Sequence, residues 1–265
     1  MTTMYPIPPT PPRTFGNFGK LAPKFNAKTL KLSKYTGPMT PISPTPVGKV
    51  FREYKVPPGK WGMLGNDQVG DCTIAAIAHM LMNETVHTGT LVTPTLAEVM
   101  AAYSAISGYD PATGANDNGC AITDVLEYWR THGLSGHKIL AWAQVDYQNF
   151  WHVKQAIWLF GALNIGIRVP QSAMDQFSNN QFWDVVPNDG GIIGLHSIPN
   201  FGYGSQGTNC ITWGQRQGMT WNWFSSYVEE AYVIISSDWF NQLTKETPSG
   251  FDIAALETDL KSIVA

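Results

Sequence analysis

At 265 residues, with 43% hydrophobic and 14% charged side chains against the roughly 25% charged of an average soluble protein, the chain can bury a large core in one domain or in two closely packed lobes. A net charge of -3, a pI near 6.0 and basic residues gathered in the first 60 positions give no footprint for nucleic acid. No apolar run reaches the ~18 residues of a membrane span and the proline-rich start lacks a signal-type apolar segment, so the expected setting is cytoplasmic or particle-associated.

Residues 1–60 are rich in Pro, Lys, Thr and Gly and show no sustained period of 2 or 3.6, a composition that favours extended or polyproline segments. They read as an arm lying along the chain's own domain or a neighbour, as a linker, or as a pro-segment covering a site. From Cys72 the pattern turns helical: Ile74, Ile77, Ala78 and Leu81 fall at i, i+3, i+4 and i+7, which predicts a buried helix over 72–87. A second helix is predicted over 94–106, with Thr95 and Glu98 spaced as a capping box and Gly108 at its end. The turn-rich run 108–120 carries Asp110, Asn116, Asp117 and Asn118 without the spacing of a calcium-binding loop, so it reads as an ordered turn. Two amphipathic helices follow, over 123–132 and 148–160, each stopped by glycine.

After Gly161 short β-rich runs take over, at 163–169, 194–204, 209–214 and 230–236, and a last helix places Ile253, Leu256, Leu260 and Ile263 on one face. A helical first half before an antiparallel second half predicts an α+β protein. The expected division is an arm over 1–60, a helical lobe over 61–161, a β-rich lobe over 162–250 and a C-terminal helix over 251–265.

Three cysteines, Cys72, Cys120 and Cys210, are an odd number, which argues against a disulfide framework, and they lack the spacing of a zinc site; no metal or cofactor is implied. One has a telling context. The loop Gly65-Asn66-Asp67-Gln68-Val69-Gly70-Asp71 delivers Cys72 to the first turn of a buried helix, where the helix dipole and unpaired N–H groups would favour the thiolate. A nucleophile also needs a base, and His196 sits in a glycine-flanked strand of the β-rich half. His79 lies two turns along the helix, about 10 Å from Cys72, too far to act on it. The remaining histidines, His87, His132, His137 and His152, fit helix ends and surfaces.

The order of Cys72 at a helix start, His196 five residues before Gly202-Tyr203, and Ile211-Thr212-Trp213-Gly214 is similar to the motifs of papain-like cysteine peptidases and of the related bacteriocin-processing peptidases. The resemblance spans about 150 residues and implies a papain-like fold, with a central helix beginning at the cysteine. It implies a Cys72–His196 dyad, a tryptophan at Trp213 covering it, and an oxyanion-hole amide six residues before the cysteine. Asn66 stands at that position in place of glutamine, and Gln68 lies two residues on, so either side chain is a candidate donor. The family's orienting asparagine falls on Ile211, which cannot bond an imidazole. Asn209, sharing a strand face with Ile211, is preferred over Thr212 for that role, with Asp189 a more distant candidate.

Two functions follow from these residues. One is a thiol hydrolase of peptide or related amide bonds, including cell-wall amidase or acyl-transfer variants, with a peptide or protein as substrate. The other is a catalytically silent papain-like module of a phage or other particle, whose arm makes a homo-oligomeric or particle contact.

Overall fold

The computed structural model describes residues 13–14, 16–36, 55–237 and 252–264. The proline-rich runs at 1–12 and 37–54, expected to be extended, lie outside the described residues.

Helix α1 (Cys72–Thr88) is apolar on nearly every side, and 14 of its 17 residues are buried, as expected of a helix enclosed by other elements. Helix α2 (Leu96–Ser107) starts at the predicted capping box, with Thr95 and Glu98 each accepting from the other's backbone N–H, and ends at Gly108 in the left-handed conformation. Helices α3 (Ile122–Thr131) and α4 (Phe150–Phe160) follow, the latter capped by the Asn149 side chain. Two short helices, α5 (Gln171–Ser178) and α6 (Trp221–Tyr227), precede the C-terminal α7 (Ile253–Val264). Leu256 and Leu260 of α7 are buried as their spacing predicts; the side chain of Ile263 lies outside the described residues.

Among the described residues, seven strands form one mixed sheet: β1 (Leu30–Lys31), β2 (Ile139–Gln144), β3 (Leu163–Pro170), β4 (Ile192–Tyr203), β5 (Gly207–Thr212), β6 (Gln215–Thr220) and β7 (Val228–Ser236). The order is β1-β2-β7-β3-β4-β5-β6, antiparallel throughout except for the parallel β1–β2 pair at one edge. Strand alternation sorts side chains into two cores. Along β7, Ala231, Val233 and Ile235 join the core built with α4 to α7, while Tyr232 and Ile234 face the core built with α1 to α3. The sheet is thus filled from both faces, and α1 packs mainly against β4. That contact brings the start of α1 beside the middle of β4, where His196 stands.

Among the described residues, no helix is long and apolar enough to cross a membrane.

Candidate active site

Cys72 opens α1 and His196 sits on β4, paired with Ile167 of β3; both are only 1% exposed. They line one small cavity with Asn66, His79, Ser197, Ile211, Thr212 and Trp213, and the space left is about 10 Å³, room for about one water molecule. The loop before Cys72 is held from behind by Asp117, which accepts from the Gly70 N–H at 2.9 Å and from the Tyr103 hydroxyl at 2.5 Å. His79 fixes the other end of that loop, its Nε2 lying 3.2 and 3.1 Å from the Trp61 and Gly62 carbonyl oxygens. Burial lowers the His79 pKa to about 4, so it is a neutral clamp.

Thr212 holds the imidazole. Its Oγ1 lies 2.9 Å from His196 Nε2, and with Nε2–H donating to the hydroxyl, Nδ1 remains as the basic nitrogen. Nδ1 has no hydrogen-bond partner among the described residues. The preference for Asn209 is thereby corrected: Asn209 lies three residues back along β5, between Gly202 and Gly218, and does not line the cavity. Period 2 puts Thr212 and Asn209 on opposite faces of β5, and the face that meets the imidazole is the threonine's. Asp189 is engaged elsewhere, accepting from the Tyr227 hydroxyl and the Gly191 N–H. Trp213 stacks on His196 with centroids 4.9 Å apart and planes 24° from parallel, shielding the imidazole as the resemblance implies. Of the two amide candidates, Asn66 is buried in the cavity wall and Gln68 is exposed.

Against these residues lies a stretch of the chain's own arm, residues 16–20. Asn17 exchanges hydrogen bonds with Asn66: its N–H donates to the Asn66 carbonyl at 2.6 Å, and its carbonyl accepts from Asn66 Nδ2 at 2.9 Å. Phe18 packs edge-on to His196 at 5.8 Å and to Trp213 at 6.1 Å. Gly19 threads so tightly that a methyl on it would overlap the Gly70 carbonyl oxygen. Lys20 follows, its N–H directed at the Leu195 carbonyl and its ammonium 2.6 Å from Glu229 and 2.7 Å from Glu230. The sequence carried a signal for this segment in its Gly-Asn-Phe-Gly-Lys run and in the adjacent glutamates of an otherwise apolar strand, but nothing local joins the two.

Burial reverses the expected electrostatics. Burial pushes the Cys72 thiol up to about 12, outweighing the hydrogen bonds it receives from the Ser197 and Gly19 backbone, and burial lowers His196 to about 3. Asp71 is likewise driven by burial up to about 8. With the arm in place the dyad is a neutral thiol beside a neutral imidazole rather than the thiolate expected from the helix start.

Helix start, base strand, covering tryptophan and two-faced sheet define a papain-like fold. No family model matches the chain, and no curated protein sequence does either. Among solved structures it is similar to xylellain, a cysteine protease from Xylella fastidiosa, at TM-score 0.62 and 14% identity over 84% of this chain and 97% of that one. It is also similar to procathepsin L 3 of the Tenebrio molitor larval midgut, at TM-score 0.51 and 12% identity over 78% of this chain and 76% of that one.

Proposed function

We propose that the chain is a thiol hydrolase of peptide or related amide bonds, made as a closed form in which residues 16–20 occupy its own substrate cleft. The observation that carries this reading is the convergence of Cys72, His196, Thr212 and Asn66 on one cavity, with a glycine-rich stretch of the same chain lying against these residues. With the arm displaced, water reaches the pair and the desolvation that holds both groups neutral is relieved. Cys72 then transfers its proton to His196 Nδ1 and attacks the acyl carbon; the resulting oxyanion is held by the Cys72 backbone N–H and Asn66 Nδ2. Protonated His196 returns that proton to the leaving amine, and a water activated by the same imidazole releases the acid. In the closed form the Asn17 carbonyl takes the Asn66 amide, so the arm removes an oxyanion donor as well as access.

The motif spacing shared with bacteriocin-processing peptidases supports the dyad, while their substrate type has no support in the cleft. The silent-module reading rests on an arm that reaches a neighbour; the contacts of residues 13–36 with this chain's own body favour the pro-segment. The test is iodoacetamide alkylation from pH 4 to 9 of the full chain and of its Gly19→Leu variant, with Cys120 and Cys210 as internal controls. Gly19→Leu is expected to alkylate Cys72 about a hundredfold faster, an opening of about 2.7 kcal/mol, and to hydrolyse peptides unless Cys72→Ala is added. Cys72 that stays as slow as the controls in Gly19→Leu would overturn the reading.

A further inference from the structure

Within the segment 16–20 that lies against the cavity, Lys20 has a side chain wholly enclosed by the body. Its side chain is 0% exposed, and its ammonium is ion-paired to Glu229 and Glu230 at the start of β7 and donates to the Leu21 carbonyl at 2.9 Å. The two carboxylates differ: Glu229 keeps 22% of its side chain in solvent, Glu230 only 2%. The Tyr232 hydroxyl donates to Glu230 at 3.0 Å, orienting it. The stem of the lysine passes over Gly166 of β3, where a side chain would run into the lysine Cε and into Glu230. Gly166 pairs with Ser197 on one side and Glu230 on the other, so this pocket opens one residue from His196. Along the arm, Lys20 is the residue next to Gly19, whose backbone contacts the Cys72 sulfur.

From this geometry we infer that the Gly166–Glu229–Glu230 pocket is a specificity pocket for a basic side chain, and that substrates present Lys or Arg beside or near the scissile bond. The inference rests on the thiol-hydrolase reading and names the substrate class of the same cleft. Glu229 and Glu230 belong to the sheet, not to the arm, so they stay when the arm leaves. Two adjacent carboxylates then line the vacated pocket without a counter-ion, and the occupant that pairs with them is a cation long enough to span the gap above Gly166. An apolar side chain would leave both carboxylates without a counter-ion, and an acidic one would add a third negative charge. A latch alone would not need the space above Gly166 or the Tyr232 bond to Glu230.

The experiment uses the full chain carrying Gly19→Leu. Fluorogenic peptides identical except for Lys, Arg, Leu or Glu within two residues of the scissile bond are compared by kcat/KM. The same sequences, end-labelled, are titrated by fluorescence anisotropy against the Gly19→Leu, Cys72→Ala protein. Lys and Arg peptides are expected to exceed Leu by about tenfold or more and Glu by more, in both assays, with Glu230→Gln bringing the Lys-to-Leu ratio close to one. If binding shows the charge preference and its loss in Glu230→Gln while nothing is cleaved, the pocket stands and the hydrolase reading falls. If peptides are cleaved with no basic preference, the hydrolase reading stands and the pocket falls. Equal binding of all peptides without cleavage overturns both.

Discussion

Two stretches of chain meet at Cys72, and they are held by different forces. The body side is packing: α1 between β4 and its helical neighbours, with Trp213, Phe177 and the surrounding strands closing off water. The arm side is polar. It is held by backbone hydrogen bonds to Asn66 and Cys120, and by charges that reach from arm to body at Lys20, Lys24, Lys28 and Lys34. Ten of the 17 basic residues and a single acidic one, Glu53, precede residue 61, so an acidic body wears a basic strap. A segment held by the buried Lys20 pair, exposed ion pairs and a few backbone bonds opens at lower free energy than a core strand. The molecule therefore carries the Cys72–His196 pair in the stable part and the segment lying against it in the labile part.

The contrast can be broken first at its strongest polar contact. Lys20→Ala leaves Glu230 buried without its cation and should favour the open form by about 2 kcal/mol, a rise of about thirtyfold in Cys72 alkylation of the full chain at pH 7. Unchanged alkylation would mean that the arm is held by something other than its charge. On the body side, Thr212→Val in the Gly19→Leu background removes one hydrogen bond to the imidazole and should lower kcat about tenfold with little change in KM. Thr212→Ser should restore it, whereas a purely structural role would make serine as poor as valine.

A third expectation concerns pH and whole-fold stability. His196 and His79, lowered to about 3 and about 4, are protonated in the unfolded chain below pH 6.5 but not in the folded one, so their contribution is full above 6.5 and is lost on acidification. Asp71, raised to about 8, acts in the opposite sense: its contribution is full below the unfolded carboxylate value and is lost as pH climbs toward 8. Between 4 and 6.5 two histidines outweigh one aspartate, and from 6.5 to 8 the aspartate acts alone. Thermal unfolding should therefore peak near pH 6.5 and fall by about 1.4 kcal/mol per unit above it, and Asp71→Asn should flatten that alkaline limb. A limb untouched by Asp71→Asn would refute the assignment. The smallest effect belongs to Lys24→Ala, which removes an exposed pair to Asp124 and should change alkylation less than about threefold, an effect screened further by 0.5 M salt.

Much of the body was legible because its signals are local. The i, i+3, i+4 spacing from Ile74, the Thr95–Glu98 box and the glycine stops gave helices to within a residue or two of those observed. Strand β2, strand β6 and helices α5 and α6 escaped notice. In Gln215–Thr220 the buried positions are filled by Gln217, Gly218 and Met219, a pattern that alternation does not flag, and the short α6 owes its burial to aromatic contacts with distant residues. In the site, Cys72, His196 and Trp213 came from motif spacing. Thr212 is hidden from motif spacing because the family's asparagine position falls on the neighbouring Ile211, and strand alternation from Ile211 points Thr212 to the other face. The thiolate expectation differs from the structure for another reason: a helix start speaks for the isolated segment, while the burial that overrides it comes from residues distant in the chain, among them those that line the cavity with Cys72.

The parallel pairing of Leu30 and Lys31 with Ala143 and Gln144 has a kinetic consequence. It stitches the far end of the arm to the sheet edge, with the Trp142 indole N–H donating to Thr29 Oγ1 at 2.9 Å as a second tie. Nine residues separate Lys20 from Leu30, a tether of about 30 Å at most, so a released cleft segment faces its own cleft at an effective concentration on the order of millimolar. On the thiol-hydrolase reading, a substrate would have to outcompete that captive rival at every turnover. A cut within residues 21–29 would turn the tethered occupant into one that diffuses away.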